Sequence, residues 1–263
     1  MIFQKAHEFL SKYFSYTNIV KDDKVLIHSD IFALFRILRK NKIKCKIEDL
    51  VYFFLDLVGP EGCVIFPTFN FDFCKKIDFS YHETVSRMGI LSETARKMKE
   101  GFKTWHPVYS FKVFGNMPEK TIFNENYSAL GKDSIFQWLC SHDGKILIMN
   151  LSDQNSMTIY HHFEEMKKIS WRFHKIFKGN YVDINHQKKK IETSIFVRNL
   201  KKKIITDVSG MEKILWSKNL YKSKNDNDII NPRSINVTKL KKEVYSVIES
   251  GKAEGILYRR LEE

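Results

Sequence analysis

Three short apolar runs constrain the fold of this chain most. They are Val25-Leu26-Ile27-His28-Ser29, Cys63-Val64-Ile65-Phe66-Pro67 and Lys145-Ile146-Leu147-Ile148-Met149. Each is too short for a typical helix and reads as a buried strand. The second follows the turn signal Gly59-Pro60-Glu61-Gly62, and Pro67 should end it. Helical patterns lie between the runs. One spans about Phe32 to Arg39. Another spans Lys46 to Leu57, with Leu50, Phe53, Phe54 and Leu57 at helical spacing. Gly89 to Met98 and Ser134 to Cys140 follow the same period, and a short aromatic-rich helix is expected within residues 1–20. Residues 69–88 look irregular, whereas Val108 to Phe114 alternates like a strand that stops at Gly115. Strands alternating with helices predict an α/β fold, a layered α/β/α arrangement with a mostly parallel central sheet.

The pattern changes from Trp171. Tyr181 to Ile205 alternates in short pieces around two basic clusters. Lys188-Lys189-Lys190 is expected at a hairpin turn, and Lys201-Lys202-Lys203 at a solvated strand end. Asn236 to Leu261 reads as a helix and a final strand. With no internal repeat or low-complexity linker, one domain over 1–263 is expected. Its core would cover about 1–172, and a smaller antiparallel appendage with C-terminal elements about 173–263.

Composition narrows the function classes. The 263 residues are 43% hydrophobic and include 21 Phe, enough for a sizeable core and against wholesale disorder. No run has the length to cross a bilayer, and residues 1–8 lack a signal-peptide pattern, so a cytoplasmic protein is expected. Cys45, Cys63, Cys74 and Cys140 form no CxxC pair and no zinc spacing with histidine. They read as free thiols in a reducing compartment, with no metal. The net charge of +13 favours anionic partners: nucleic acid, a membrane surface or phosphate-bearing small molecules. An AT-rich coding sequence would also enrich lysine. The basic runs are scattered and carry no RNP, zinc-finger or helix-turn-helix signature. A nucleic-acid-binding protein is therefore the alternative of another class, and no nucleic-acid partner is expected.

The chemistry concentrates after the third apolar run, in Ser156-Met157-Thr158-Ile159-Tyr160-His161-His162-Phe163-Glu164-Glu165. Thr158, His161 and Glu164 recur at three-residue steps and would form one polar ridge on a helix. A neutral imidazole accepts a proton near pH 7. A carboxylate one turn away can fix its tautomer and stabilise the imidazolium. Thr158 reads equally as a helix N-cap or as a hydroxyl donor toward a developing negative charge. His162 points about 100° away from His161, so the two cannot face one substrate. A His–Glu pair also activates water, but no Gly-x-Ser-x-Gly elbow supports a hydrolase.

Five motifs in order carry a resemblance: Val25-Leu26-Ile27-His28-Ser29; Gly59-Pro60-Glu61-Gly62 running to Pro67-Thr68-Phe69; Gly89-Ile90-Leu91-Ser92-Glu93; His106-Pro107-Val108-Tyr109-Ser110-Phe111; and Thr158, His161 and Glu164. Together they resemble the aminoglycoside 3-N-acetyltransferase family, most clearly from about Val25 to Arg172. Asp30 stands where that family has a small hydroxyl residue, and Ile135 where it often has proline. The resemblance implies transfer of an acetyl or other acyl group from coenzyme A to a sugar amine, without a metal. It implies His161 as base, aided by Thr158 and Glu164. The acceptor side would draw on Glu93, Thr68, Phe69 and Asp72, and the acyl-CoA side on His28, Ser29, His106 and Ser110. Glu93 reads equally as a solvated helix carboxylate, and Pro107 as a turn residue. Aminoglycosides are polycations and match a basic chain poorly. A nucleotide-linked amino-deoxy sugar, of the kind used for surface polysaccharide, is therefore the expected acceptor, with an aminoglycoside as the alternative. The oligomeric state stays open, a homodimer included.

Overall fold

The computed structural model describes residues 2–117 and 127–261. The chain opens with helix α1 (Ile2–Phe14), then strand β1 (Lys24–Ser29), α2 (Phe32–Lys40), α3 (Ile47–Val58) and β2 (Cys63–Pro67). A short strand β3 (Phe79–Ser80), α4 (Ile90–Lys97), β4 (Phe102–Lys103) and β5 (Phe111–Gly115) follow. Next come α5 (Ile135–Ser141), β6 (Lys145–Met149), α6 (Asp153–Ser156) and α7 (Ile159–Met166). The remainder holds β7 (Arg172–Val182), β8 (Lys188–Arg198), β9 (Ile204–Thr206), α8 (Ser209–Ser217), β10 (Lys222–Ser223), β11 (Arg233–Asn236), α9 (Val237–Glu249) and β12 (Tyr258–Arg260).

The main sheet has seven strands in the order β10-β11-β6-β1-β2-β5-β4. Its centre is parallel: β1 pairs with β6 on one side and with β2 on the other. Both flanks are antiparallel, β11 against β6 and β5 against β2. The three apolar runs are thus the three central strands. Apart from Lys145, the residues of these runs are buried because both faces are covered. Val25, Ile27, Val64 and Phe66 pack with Leu34, Leu50, Phe53 and Phe54 of the helices on one face. Leu26, Ile65, Ile146 and Ile148 meet α5, α7, α8 and α9 on the other, through Phe136, Phe163, Leu215 and Leu240.

Local signals start and stop the elements. The Asp49 carboxylate accepts the Lys46 backbone N–H at 2.6 Å and caps α3. Ser134 caps α5 through the Gln137 N–H. Gly89 enters α4 at φ +91°, in the left-handed region, and a Cβ there would lie 3.2 Å from the Ser29 carbonyl oxygen.

The structure departs from expectation in three places. Lys188, Lys189 and Lys190 lie within β8, and the hairpin turn falls at 183–187. The segment from Tyr181 is the end of one long ribbon, β7 with β8, paired over eleven residues on each strand, not a series of short pieces. Such a ribbon is held by backbone pairing, so charged side chains tolerate it when they point to water. Finally, β10 and β11 extend the main sheet next to β6, and α9 packs on α5 and α7. The four cysteines are free, and burial pushes the Cys63 thiol up to about 12. Among the described residues no helix is long and apolar enough to cross a membrane.

Candidate active site

Strand β6 ends level with β1, with Ile148 beside His28 and Met149 beside Ser29. The chain then turns through α6 into α7, which begins on the sheet's α5/α9 side. This is the carboxyl edge of the parallel strands, where α/β proteins commonly place their sites.

Helix α7 brings His161 and Glu164 together. His161 Nδ1 lies 2.8 Å from Glu164 Oε2. The carboxylate is 2% exposed and the imidazole 20%, so the ring is the outward member of the pair. The Trp171 indole N–H donates to Glu164 Oε1 at 3.0 Å, and Arg172 Nε stands 2.7 Å from Oε2. Arg172 also donates to the Thr206 hydroxyl at 2.8 Å and to the Phe196 carbonyl. Its NH2 group reaches His161 Nε2 at 3.3 Å. A guanidinium only donates, so Nε2 accepts in that contact and Nδ1 carries the proton toward Glu164.

The electrostatics follow from this packing. Burial and then the Arg172 charge push the His161 pKa below its ordinary value, while Glu164 pulls it upward by less. Burial alone would raise the Glu164 carboxyl. Arg172, together with the His161 and Trp171 donors, holds it below the usual carboxylate range. The pair therefore rests as a neutral ring beside a carboxylate. Thr158 stands at the N-cap position of α7, half-buried and in helical conformation, but its side chain makes no capping bond. His162 is buried, with Nδ1 on the Leu130 carbonyl, and faces the core against Phe136.

The other expected site residues are dispersed. His28 is buried on the same sheet face as Leu26, toward the α7 layer. Neither of its ring nitrogens nor the Ser29 hydroxyl has a hydrogen-bond partner among the described residues. Burial lowers the His28 pKa to about 3. A concavity of about 280 Å³ opens beside Ser29, on the other face of the strand from His28, lined also by Asp30, Arg87, Gly89 and Asn155. His106, by contrast, is engaged at both ring nitrogens. Nδ1 accepts the Val108 and Tyr109 N–H groups, and Nε2 meets the Thr193 hydroxyl at 2.6 Å. It clamps a loop to β8 and leaves no ring atom for a ligand. Thr68 and Ser110 are buried and bond to each other at 2.8 Å. Phe69 is core, edge-on to Tyr109 and Phe111. Glu93 forms a double ion-paired bond with Arg96, accepts the Ser86 N–H, and has its pKa drawn to about 2. Asp72 pairs with Arg87 and Lys75 near the surface.

Arg172, Trp171 and Thr206 are the members that sequence reasoning missed. The available signal was a Trp-Arg pair opening a strand eight residues after a buried glutamate. Among the described residues, no three His, Cys, Asp or Glu side chains gather as metal ligands.

The sequence pattern of the aminoglycoside 3-N-acetyltransferase family matches residues 26–224. Solved structures share the fold at low identity. YokD from Bacillus subtilis superposes with a TM-score of 0.74 at 14% identity, covering 95% of each chain. AAC-IIIb, solved as a binary complex with CoASH, gives 0.71 at 13%, covering 93% of this chain and 96% of that one. AAC-VIa, solved with sisomicin, gives 0.73 at 16%, covering 93% and 98%. No curated protein sequence matches. The family pattern spans most of the chain and includes the α7 dyad, so this chain belongs to the aminoglycoside 3-N-acetyltransferase family of acyl-transferring enzymes.

Proposed function

We propose that the chain moves an acyl group from acyl-CoA to an amine of an amino sugar, with His161 as general base. The observation that carries this reading is the neutral His161 ring hydrogen-bonded to a buried Glu164, in a chain of this family. The acceptor nitrogen attacks the thioester carbonyl carbon, and its proton passes to His161 Nε2. The C–S bond then breaks, and the imidazolium returns the proton to the departing sulfur. Glu164 stabilises the transient positive ring. Arg172 must release its contact with Nε2 as the amine arrives. The Thr158 hydroxyl, at the mouth of α7, would donate to the carbonyl oxygen. The unpartnered Ser29 hydroxyl, with Arg87 in the same concavity, supports a place for acyl-CoA at the carboxyl ends of the strands.

An aminoglycoside is the acceptor that the family supports best, and one relative was solved with sisomicin. The +13 charge favours a second reading, a nucleotide-linked amino-deoxy sugar. A purified chain assayed with acetyl-CoA against sisomicin and a dTDP-amino sugar separates the two by kcat/KM. His161→Ala should lower kcat/KM by about 10²–10⁴-fold with an unchanged circular-dichroism spectrum. Near-wild-type turnover in that variant would end the assignment.

A further inference from the structure

Two lysines oppose each other at the edge of the main sheet. Lys103 of β4 is directly across from Lys112 of β5 in the antiparallel register, so both side chains leave the same face. Like charges in that position destabilise a strand pair. Both residues are also buried, at 8% and 6% exposure. A buried cation is costly unless a carboxylate matches it. No carboxylate among the described residues comes within 4.0 Å of either ammonium. Glu93 is taken by Arg96 and Lys97, and Glu100 accepts from the Tyr52 hydroxyl. Each ammonium donates instead to a main-chain carbonyl, Lys103 to Tyr81 at 2.8 Å and Lys112 to Met98 at 2.9 Å. The Lys103 ammonium also lies 4.7 Å from the Phe79 ring centroid.

Such a pair has two ways out: one amine stays uncharged, or an anion joins the cluster. Burial, and then the Arg96 charge, lowers the Lys103 pKa to about 7; Lys112 acts the same way and Glu93 opposes it. Burial and Arg96 lower the Lys112 pKa as well, against the pull of Glu100. A lysine desolvated beside other cations is an activated nucleophile. We propose that Lys103 is a carbamate site, whose amine takes up carbon dioxide and so supplies the anion that this cationic cluster lacks. The free amine attacks the carbon of CO2. A C–N bond forms as one C–O π bond opens onto oxygen, and the nitrogen gives a proton to solvent. The product, –NH–COO⁻, keeps one N–H for the Tyr81 carbonyl and sets a negative charge beside Lys112 and Arg96. Carbon dioxide is small and apolar, which suits a side chain walled by Phe79 and Tyr81. The site shares no residue with the dyad, and the proposal does not rest on the acyltransferase reading.

The test equilibrates the full chain with ¹³C-labelled CO2 at fixed partial pressure, traps carbamates by O-ethylation with a trialkyloxonium salt, and maps the label by peptide mass spectrometry. Wild type, Lys103→Arg and Lys112→Met are compared. At pH 7.5 the free-amine fraction of Lys103 exceeds that of an ordinary lysine by on the order of 10²-fold, so the label should concentrate at that one side chain. Lowering the pH to 5.5 protonates the amine and should cut the label by about 20-fold. Lys103→Arg should abolish it. Lys112→Met raises the Lys103 pKa and removes a partner of the carbamate, so it should lower the label several-fold. CO2 should also raise the thermal midpoint of the wild type and leave that of Lys103→Arg unchanged. Those midpoints check that the variants are folded, and the map of the wild type decides even where a variant does not fold. Label at Lys103 no greater than at exposed lysines would overturn the proposal. So would stabilisation by chloride or phosphate equal to that by CO2 with no covalent label, which would make the cluster a site for free anions. These readouts are independent of turnover, so inactivity toward every amine would sink the acyltransferase reading and leave this result standing.

Discussion

Replacing Arg172 by methionine tests how the resting dyad stays uncharged. Methionine keeps most of the apolar stem and removes the guanidinium that faces Nε2 at 3.3 Å. Two unit charges at that separation repel by about 1.3 kcal/mol in bulk water and about 5 kcal/mol at an effective dielectric near 20. Glu164 lies against both groups and offsets part of this. The lower figure is therefore the safer one, and it acts to raise the His161 pKa when the guanidinium is removed. The sign is fixed. Arg172 disfavours the imidazolium, so its removal raises the pKa and leaves Glu164 to stabilise the charged ring. Fewer rings are then neutral at pH 6, and the acidic limb of kcat/KM moves to higher pH. Titration of the His161 ring protons by NMR reads the shift directly and avoids confusion with the acceptor amine's own titration. An unchanged or lowered midpoint in folded R172M would refute the reasoning.

Two further predictions concern stability. His28 and His106 are buried with pKa values lowered to about 3, against about 6.5 when unfolded. The unfolded chain thus binds more protons below pH 6.5, and stability falls from there down toward pH 3, by up to about 1.4 kcal/mol per pH unit for each ring. Urea unfolding at pH 7.5 and 5.5 should differ by about 3 kcal/mol for the two rings, and equal midpoints would contradict the buried neutral state. Asp153 accepts the Tyr160 and Tyr221 hydroxyls and pairs with the fully buried Arg233 at 3.0 Å. Asp153→Asn leaves that cation with Glu212 as its one carboxylate partner and should cost about 1.5–3 kcal/mol, seen as a lower urea midpoint.

The three central strands were legible because burial on both faces leaves uninterrupted apolar runs. The helices over Phe32–Arg39, Lys46–Leu57 and Gly89–Met98 were legible from their period, and the observed ends fall within one or two residues. Strand β11 was not, because Arg233-Ser234-Ile235-Asn236 is polar. It is buried only since Arg233 finds Asp153 and Glu212, residues distant in the chain. The same distinction holds at the site. His161 and Glu164 meet within one helical turn, so spacing alone suggests them. Arg172 reaches them across the turn after α7, and His106 is engaged by Thr193, 87 residues away. No local pattern encodes such meetings. Spacing also could not tell that Glu93 and Phe69 are tied into loop and core.

Strand β11 also sets when the molecule can finish folding. The Ser234 hydroxyl donates to the Thr17 carbonyl, joining two ends of the chain across the sheet edge. During synthesis, β6 must wait with an unpaired backbone edge until residues past 236 have left the ribosome. A nascent chain stalled before Arg233 would present that edge to its neighbours, as a template for clumping rather than for catalysis.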